Sequence, residues 1–394
     1  MSNLHNPDLA TPTTSLELLE SLVAFPSVSR TPNRDLVDFI ATTLTSAGIE
    51  AEIITGGDNA NANLFATIGP KDRPGIILSG HTDVVPTEGQ DWTVDPFQLT
   101  KKDGKLYGRG TTDMKGFVAC AIRAALLAKE QPLKRPIHLA FSYDEEIGCV
   151  GVRHLLDWLK SSSHEAAFCL IGEPTSLAVA TGHKGKMALR ATFRGREIHS
   201  ALAPDGLNAI HLASDFISAL RTEQTRLAES GSRDGDYDIP YSTIHAGIVR
   251  GGVALNIVPN ESVIDFEIRH LKADDPIDIL STLKASAEKI VDQHREDFPE
   301  AAADIEIVNA YPGLDTPPDA EIVGFIKSLT GANATSKVAF GTEGGLFNEK
   351  LGVPTVVCGP GSMQQGHKPD EFVTEEQIAL CDKMLETLID RLCD

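Results

Sequence analysis

The feature that most limits how this chain can fold is a repeated switch between short apolar runs and helical stretches. Ile76 to Ser79, Ile137 to Tyr143 and Phe168 to Ile171 read as buried strands, bounded by Pro, Gly or a polar loop. Between the first two, Met114 to Lys129 is rich in Ala and Leu and reads as a helix. Upstream, Thr14-Ser15-Leu16-Glu17 reads as a capping box opening a helix with Leu18, Leu19, Leu22 and Val23 on its buried side. Alternation of this kind predicts an α/β fold with a mostly parallel sheet covered by helices.

The middle of the chain has another rhythm. Lys186 to Phe193 alternates as a strand, Leu207 to Arg221 is an amphipathic helix, and Ser242 to Val249 and Val263 to Arg269 alternate again. Pro276 to His294 reads as a helix and Ile305 to Asn309 as a strand. That order is the split βαβ of a ferredoxin-like α+β sandwich. The first style returns with a helix around Glu321 to Leu329, a strand from Val353 to Cys358 and a last helix from Glu375. The expected organisation is therefore a discontinuous larger domain, 1–182 and 311–394, with a smaller domain, 183–310, inserted in it. Within the insert, Gly231 to Asp238 reads as a mobile loop.

Composition narrows the partners. The 35 Lys+Arg and 56 Asp+Glu give a formal net charge of −21, which excludes nucleic acid and an anionic membrane surface, since both require a basic face. No apolar run approaches the roughly 20 residues of a membrane span, and Met1 to Thr14 is too polar for a secretory leader. The cysteines (Cys120, Cys149, Cys169, Cys358, Cys381 and Cys393) form no C-x-x-C pair and sit mostly in apolar stretches. They are expected to be free buried thiols of a cytoplasmic protein.

Chemistry is signalled by the residues at the carboxyl ends of the strands. His81-Thr82-Asp83 comes after the first, Asp144-Glu145-Glu146 after the second, and Gly172-Glu173-Pro174 after the third. His367 lies in a Gly-rich loop after the strand ending at Cys358, and Asp113 directly precedes a helix. In a parallel sheet the carboxyl ends of strands share one edge, where open α/β sheets place their ligands. Carboxylates crowded there repel and take up protons unless a cation is present. Mixed His/carboxylate ligation suits zinc or a similar first-row ion. Two Zn²⁺ balance Asp113, Glu146, Glu173 and a bound hydroxide, with Asp113 as the bridge. Adjacent glutamates point different ways, so Glu146 is expected to ligate and Glu145 to act as general base. Asp83 would hold the imidazole N–H of His81. Each position has a plainer alternative: Asp113 as a helix N-cap, Glu145-Glu146 as an exposed acidic pair, any one histidine as core or surface.

Gly80-His81-Thr82-Asp83-Val84-Val85-Pro86, Gly108-Arg109-Gly110 through Asp113-Met114-Lys115-Gly116, Asp144-Glu145-Glu146 and Gly172-Glu173-Pro174-Thr175 resemble the acetylornithine deacetylase, succinyl-diaminopimelate desuccinylase and carboxypeptidase family, over nearly the whole chain. The resemblance implies a zinc-peptidase catalytic domain with two Zn²⁺ per subunit, Co²⁺ being an alternative. His81, Asp113 and Glu173 would hold one ion, and Asp113, Glu146 and His367 the other. It implies hydrolysis of an amide in a small N-acylated amino acid by a metal-bridging water that Glu145 activates. The insert would be a lid and dimerisation domain of a homodimer. Its His199 would stabilise the oxyanion in its own or the partner subunit's site, although Ile198 stands where the family has a small residue. Asn256 and Arg269 resemble the pair that holds the substrate α-carboxylate; Arg269 as a salt-bridged strand residue is the alternative. The Gly-Pro-Gly-Ser run before Gly366-His367-Lys368-Pro369-Asp370-Glu371, the segment Ile171 to Ser176, His183-Lys184-Gly185 and Thr342-Glu343 look most like the members that release acetate from N2-acetyl-L-ornithine in arginine biosynthesis. Glu343 would meet the substrate ammonium or be an ordinary loop acid. N-succinyl-diaminopimelate, or a wider range of N-acyl amino acids or dipeptides, are the alternative substrates.

Overall fold

The computed structural model describes residues 13–56 and 60–394; the polar stretch 1–12, expected to carry no leader, lies outside them. The chain divides into two compact units. One runs to Gly182 and resumes over Thr316–Ser336 and Thr342–Asp394; the other comprises His183–Asp315 and Lys337–Gly341. In chain order the elements up to the boundary are α1 (Ser15–Val23), α2 (Arg34–Ser46), β1 (Ala51–Thr55), β2 (Ala62–Ile68), β3 (Gly75–His81), β4 (Thr100–Lys102), β5 (Lys105–Tyr107), α3 (Lys115–Ala128), β6 (Ile137–Ser142), α4 (Gly151–Ser161), β7 (Ala166–Pro174) and β8 (Val179–His183). There follow β9 (Gly185–Arg194), α5 (Ala209–Ser230), β10 (Thr243–Gly251), β11 (Glu261–His270), α6 (Pro276–Asp292), β12 (Ala302–Tyr311) and β13 (Leu314–Asp315). The chain closes with α7 (Glu321–Thr330), β14 (Thr335–Val338), α8 (Gly344–Leu351), β15 (Thr355–Gly359), β16 (Phe372–Thr374) and α9 (Glu375–Cys393).

The first unit is built on a sheet containing the strand order β1-β2-β6-β3-β7-β15-β8. Its centre is parallel: Leu78 pairs with Leu139 on one side and Leu170 on the other, and Val357 pairs with Ile171. Every residue of β3 and β6 is buried, as expected of strands covered on both faces. The capping box at Thr14 and Glu17 is present, and α1 turns Leu18, Leu19, Leu22 and Val23 into the core. Because β6, β3, β7 and β15 run the same way, the segments that leave their carboxyl ends emerge along one edge. Close packing under that edge explains Gly172: a Cβ there would lie 1.9 Å from the Phe117 ring of α3.

The second unit is an antiparallel sheet in the order β10-β11-β9-β12. Met187, Leu189, Ala191 and Phe193 of β9 share a core with Leu212 and Phe216 of α5 and Leu283 of α6. This is the split βαβ arrangement of a ferredoxin-like sandwich.

Three expectations need correction. The insert does not end at residue 310: β12 stays paired with β9 as far as Tyr311 opposite Lys186. Lys337 returns to this unit because its ammonium lies 2.6 Å from both Asp234 and Asp315. Helix α5 continues past Arg221 to Ser230, since Leu227 still faces the core. Gly231 to Asp238, expected as a loop without anchoring, makes specific contacts with its own unit: Arg233 Nη1 donates to the Leu227 carbonyl at 3.1 Å, and its guanidinium lies 4.9 Å from the Tyr241 ring centre. No helix among the described residues is long and apolar enough to cross a membrane.

Candidate metal centre

His81 is the last residue of β3, and a carbonyl fixes its tautomer. Its Nδ1 lies 2.9 Å from the Asp83 carbonyl oxygen, which only accepts, so Nδ1 carries the proton. In the neutral ring Nε2 is then a lone pair, yet it faces Asp113 Oδ1 at 3.0 Å and Glu173 Oε1 at 3.6 Å. Asp113 Oδ2 lies 3.0 Å from His367 Nε2, and that nitrogen is 3.0 Å from both oxygens of Glu146. The five side chains thus meet around a shared Asp113. His367 reaches them from a left-handed backbone position, φ 59°, in the loop between β15 and β16.

Acceptors aimed at one another require protons or a cation. Burial, followed by the charge of Asp113, drives Glu173 well above the usual carboxylate range. Burial and the Asp113 charge also push Glu146 up to about 7. Hydrogen bonds to Asp113 and Glu146 raise His367 to about 10. For Asp113, burial favours the neutral acid, but its bonds to His367 and His81 outweigh this and hold it below the usual range. For His81, burial opposes the charge, while the Asp113 hydrogen bond and the charge of Glu173 prevail and raise it. A divalent ion removes the need for all these protons. The donors fit one: ligand atoms of His81, Asp113 and Glu146, and likewise of His81, Glu145 and Glu173, lie within 4.8 Å of one another. Imidazole with carboxylate is a donor set for zinc or its first-row neighbours.

Asp83 does a different task from the one expected. The imidazole proton goes to its backbone carbonyl, and its carboxylate stays 3.6 Å from His81 Nδ1. Instead Oδ1 accepts the Glu145 N–H at 3.0 Å, while Oδ2 accepts the Glu146 N–H at 3.3 Å and the Ser29 hydroxyl at 2.8 Å. Asp83 therefore holds the turn that points the two glutamates apart. Glu145 is buried, and the Cys149 thiol donates to its Oε1 at 3.3 Å. The N-cap alternative for Asp113 fails: α3 begins at Lys115 behind Met114, and no side chain caps it.

Glu343 and Thr342 are both buried at the start of α8. Glu343 accepts from the hydroxyls of Ser142 and Ser79, which project from neighbouring strands β6 and β3. Thr342 Oγ1 accepts the Gly344 N–H at 3.0 Å. His199, Asn256 and Arg269 belong to the second unit. There His199 is exposed, its Nδ1 accepts the Ala201 N–H at 3.1 Å, and the Asn256 carbonyl takes the N–H of the next residue, Ser200, at 2.9 Å. Arg269 Nε lies 3.0 Å from Glu267, and its Nη1 lies 3.3 Å from the Tyr311 hydroxyl. Sequence reasoning gave no task to Arg109 or Glu371, which form a buried pair behind Asp113. Both stood inside motifs already singled out, and a charged residue within a Gly-rich ligand loop was the available signal.

Residues 77–391 match the model described as peptidase family M20/M25/M40. The chain is 34% identical over 380 residues to acetylornithine deacetylase of Myxococcus xanthus, covering 95% of this chain and 96% of that protein. It is 34% identical over 385 residues to acetylornithine deacetylase of Photorhabdus laumondii subsp. laumondii, covering 96% and 97%. Among solved structures, an M20 family metallo-carboxypeptidase from Sulfolobus solfataricus superposes with a TM-score of 0.79 at 19% identity, over 96% of this chain and 99% of that one. A tripeptidase from Staphylococcus aureus gives 0.75 at 21% identity, over 96% and 98%. At such identities the structural likeness speaks for the fold alone.

Proposed function

This chain belongs to peptidase family M20/M25/M40 and is a metal-dependent hydrolase, and from that premise we propose that it removes the acetyl group from N2-acetyl-L-ornithine, giving L-ornithine and acetate. The observation that carries the reading is the convergence of His81, Asp113, Glu146, Glu173 and His367 on one spot with the buried carboxylate of Glu145 beside them. The choice of acyl group and amino acid rests on the relatives.

His81, Asp113 and Glu173 would hold one ion and Asp113, Glu146 and His367 a second, Zn²⁺ or Co²⁺. Divalent ions bound there supply polarisation of the scissile carbonyl and a lowered water pKa. Glu145 takes a proton from the attacking water as the new C–O bond forms, then gives it to the departing amine as the C–N bond breaks. Asp83 keeps the Glu145–Glu146 turn in place for both transfers. His199 is assigned to the oxyanion, and Asn256 and Arg269 to the substrate carboxylate, which would displace Glu267 from the guanidinium fork. Glu343 is not proposed as the ammonium partner, because its oxygens are buried and already bonded to Ser79 and Ser142. It braces β3 against β6 instead. Steady-state kinetics on N2-acetylornithine, N-acetylmethionine, N-succinyl-diaminopimelate and simple dipeptides test the assignment. The highest kcat/KM is expected for N2-acetylornithine, and a higher value for any other member of the panel would overturn it.

The second unit is further proposed to join two copies into a homodimer. Strand β10 is a sheet edge, and Ile248 (46%), Val249 (50%), Val253 (84%) and Leu255 (102%) on and after it are exposed. An apolar edge with unpaired backbone groups invites a second strand. Light scattering should return a dimer mass, and the double variant Val249→Lys/Leu255→Lys a monomer. A wild-type monomer at micromolar concentration would remove the idea. The six unpaired thiols, five of them buried, suit a reducing compartment such as the cytoplasm.

A further inference from the structure

Behind the cluster lies a charged pair to which the proposed reaction gives no part. Arg109 and Glu371 have side chains only 1% exposed, and Arg109 Nη1 lies 2.7 Å from Glu371 Oε2. The same Oε2 accepts the Gly110 N–H at 3.1 Å, while Oε1 accepts the N–H groups of Thr112 at 2.9 Å and Asp113 at 3.1 Å. On the other side Arg109 Nη2 donates to Gln90 Oε1 at 2.5 Å, and Gln90 Nε2 donates to the His367 carbonyl at 3.2 Å. The guanidinium also lies 5.0 Å from the Trp92 ring centre. One connected network therefore grips the backbone of Asp113 at one end and of His367 at the other.

A buried ion pair adds little net stability over well-packed apolar residues, so its use is better sought in geometry. We propose that Glu371, acting through Arg109 and Gln90, is a positioning residue that sets the separation of Asp113 and His367 before any cation arrives. This rests on the reading of those residues as cation ligands. The carboxylate is needed because each oxygen faces two donors. Glutamine keeps the shape but offers one oxygen, so its NH₂ must confront either Arg109 and Gly110 or Thr112 and Asp113. Support of this kind around metal ligands typically changes affinity by about 10–100-fold. The effect belongs mainly to the position using Glu146 and His367, because His81 and Glu173 sit on strands β3 and β7.

Calorimetric titration of metal-free protein with Zn²⁺ tests this, using wild type, Glu371→Gln and Gln90→Ala. Wild type should take up two equivalents. Glu371→Gln should bind the first with little change and the second roughly 10–100-fold more weakly, while Gln90→Ala should move the second in the same direction by less. Hydrogen exchange of the peptide over 108–116 should quicken in Glu371→Gln even without metal. If wild type binds two ions and Glu371→Gln binds both as tightly, the positioning role is wrong while the ligand assignment stands. If wild type binds no pair of ions, the ligand assignment itself is wrong. Should Glu371→Gln not fold, an unchanged second affinity in Gln90→Ala overturns the proposal.

Discussion

Glu145→Gln is expected to bind metal like the wild type and to lose on the order of 10²–10⁴-fold in kcat, the range for removing a general acid–base group. The expectation comes from placement. Glu145 reaches the cluster while its neighbour Glu146 meets His367, and Asp83 holds both backbone N–H groups so that the two side chains diverge. Gln preserves volume and hydrogen-bonding reach but cannot carry a proton between water and amine. Metal analysis together with kcat on N2-acetylornithine decides the matter. Intact metal content with near-normal turnover would eliminate Glu145 as the base, whereas loss of metal would make it a ligand.

Zinc added to metal-free protein should release protons, and its stabilising effect should be larger at pH 8 than at pH 5. In the fold without metal, Glu146 is raised from 4.5 to about 7 and His367 from 6.5 to about 10, while Glu173 also lies well above 4.5. Groups raised in this way stabilise the fold fully below their ordinary values and cease to do so as pH climbs through the raised ones. Metal-free protein should therefore weaken from about pH 5 upward, the interval being set by Glu146 and then His367. Asp113 is lowered, so its contribution disappears only in acid, outside this interval. A cation takes over from the protons and cancels the loss. At a free zinc concentration of 100 Kd the gain is about 2.7 kcal/mol per site. Melting curves at both pH values, and titration calorimetry in buffers of different ionisation enthalpy, measure it. A stabilisation that shrinks with rising pH, or zinc binding with no proton release, would contradict the electrostatic account.

Much of this centre was legible in the sequence for a simple reason. Parallel strands are short, fully apolar and end abruptly, so polar residues after them stand out and share an edge. His81, Glu146 and Glu173 were found that way, and the structure places His81 and Glu173 inside the strand ends rather than beyond them. The ligand-forming pattern depends on where chain segments end, which local sequence records well. Contacts between segments distant in sequence are recorded poorly. Nothing near Asp83 announces that its carboxylate will accept the N–H groups of residues 145 and 146, and nothing near Glu343, which reads either as a partner for the substrate ammonium or as an ordinary loop acid, announces that it will accept from the hydroxyls of Ser79 and Ser142. The insert boundary is poorly recorded in the sequence because β12 stays paired with β9 as far as Tyr311 beyond a register shift between Ile307 and Asn309, which breaks the alternation that would mark the strand's continuation.

The order in which the cluster's members occur along the polypeptide has a consequence for its biogenesis. His81, Asp113, Glu146 and Glu173 are all translated long before His367 and Glu371. A growing chain on the ribosome therefore presents an unfinished set of ligands until nearly all of it has been made. Partly synthesised or prematurely released products contain the strands and most of the acids, yet lack the histidine and the carboxylate that complete the arrangement. The position assigned to Asp113, Glu146 and His367 can therefore be completed only once nearly the whole chain has been made, whereas the ligands assigned to the other position, His81, Asp113 and Glu173, are present much earlier.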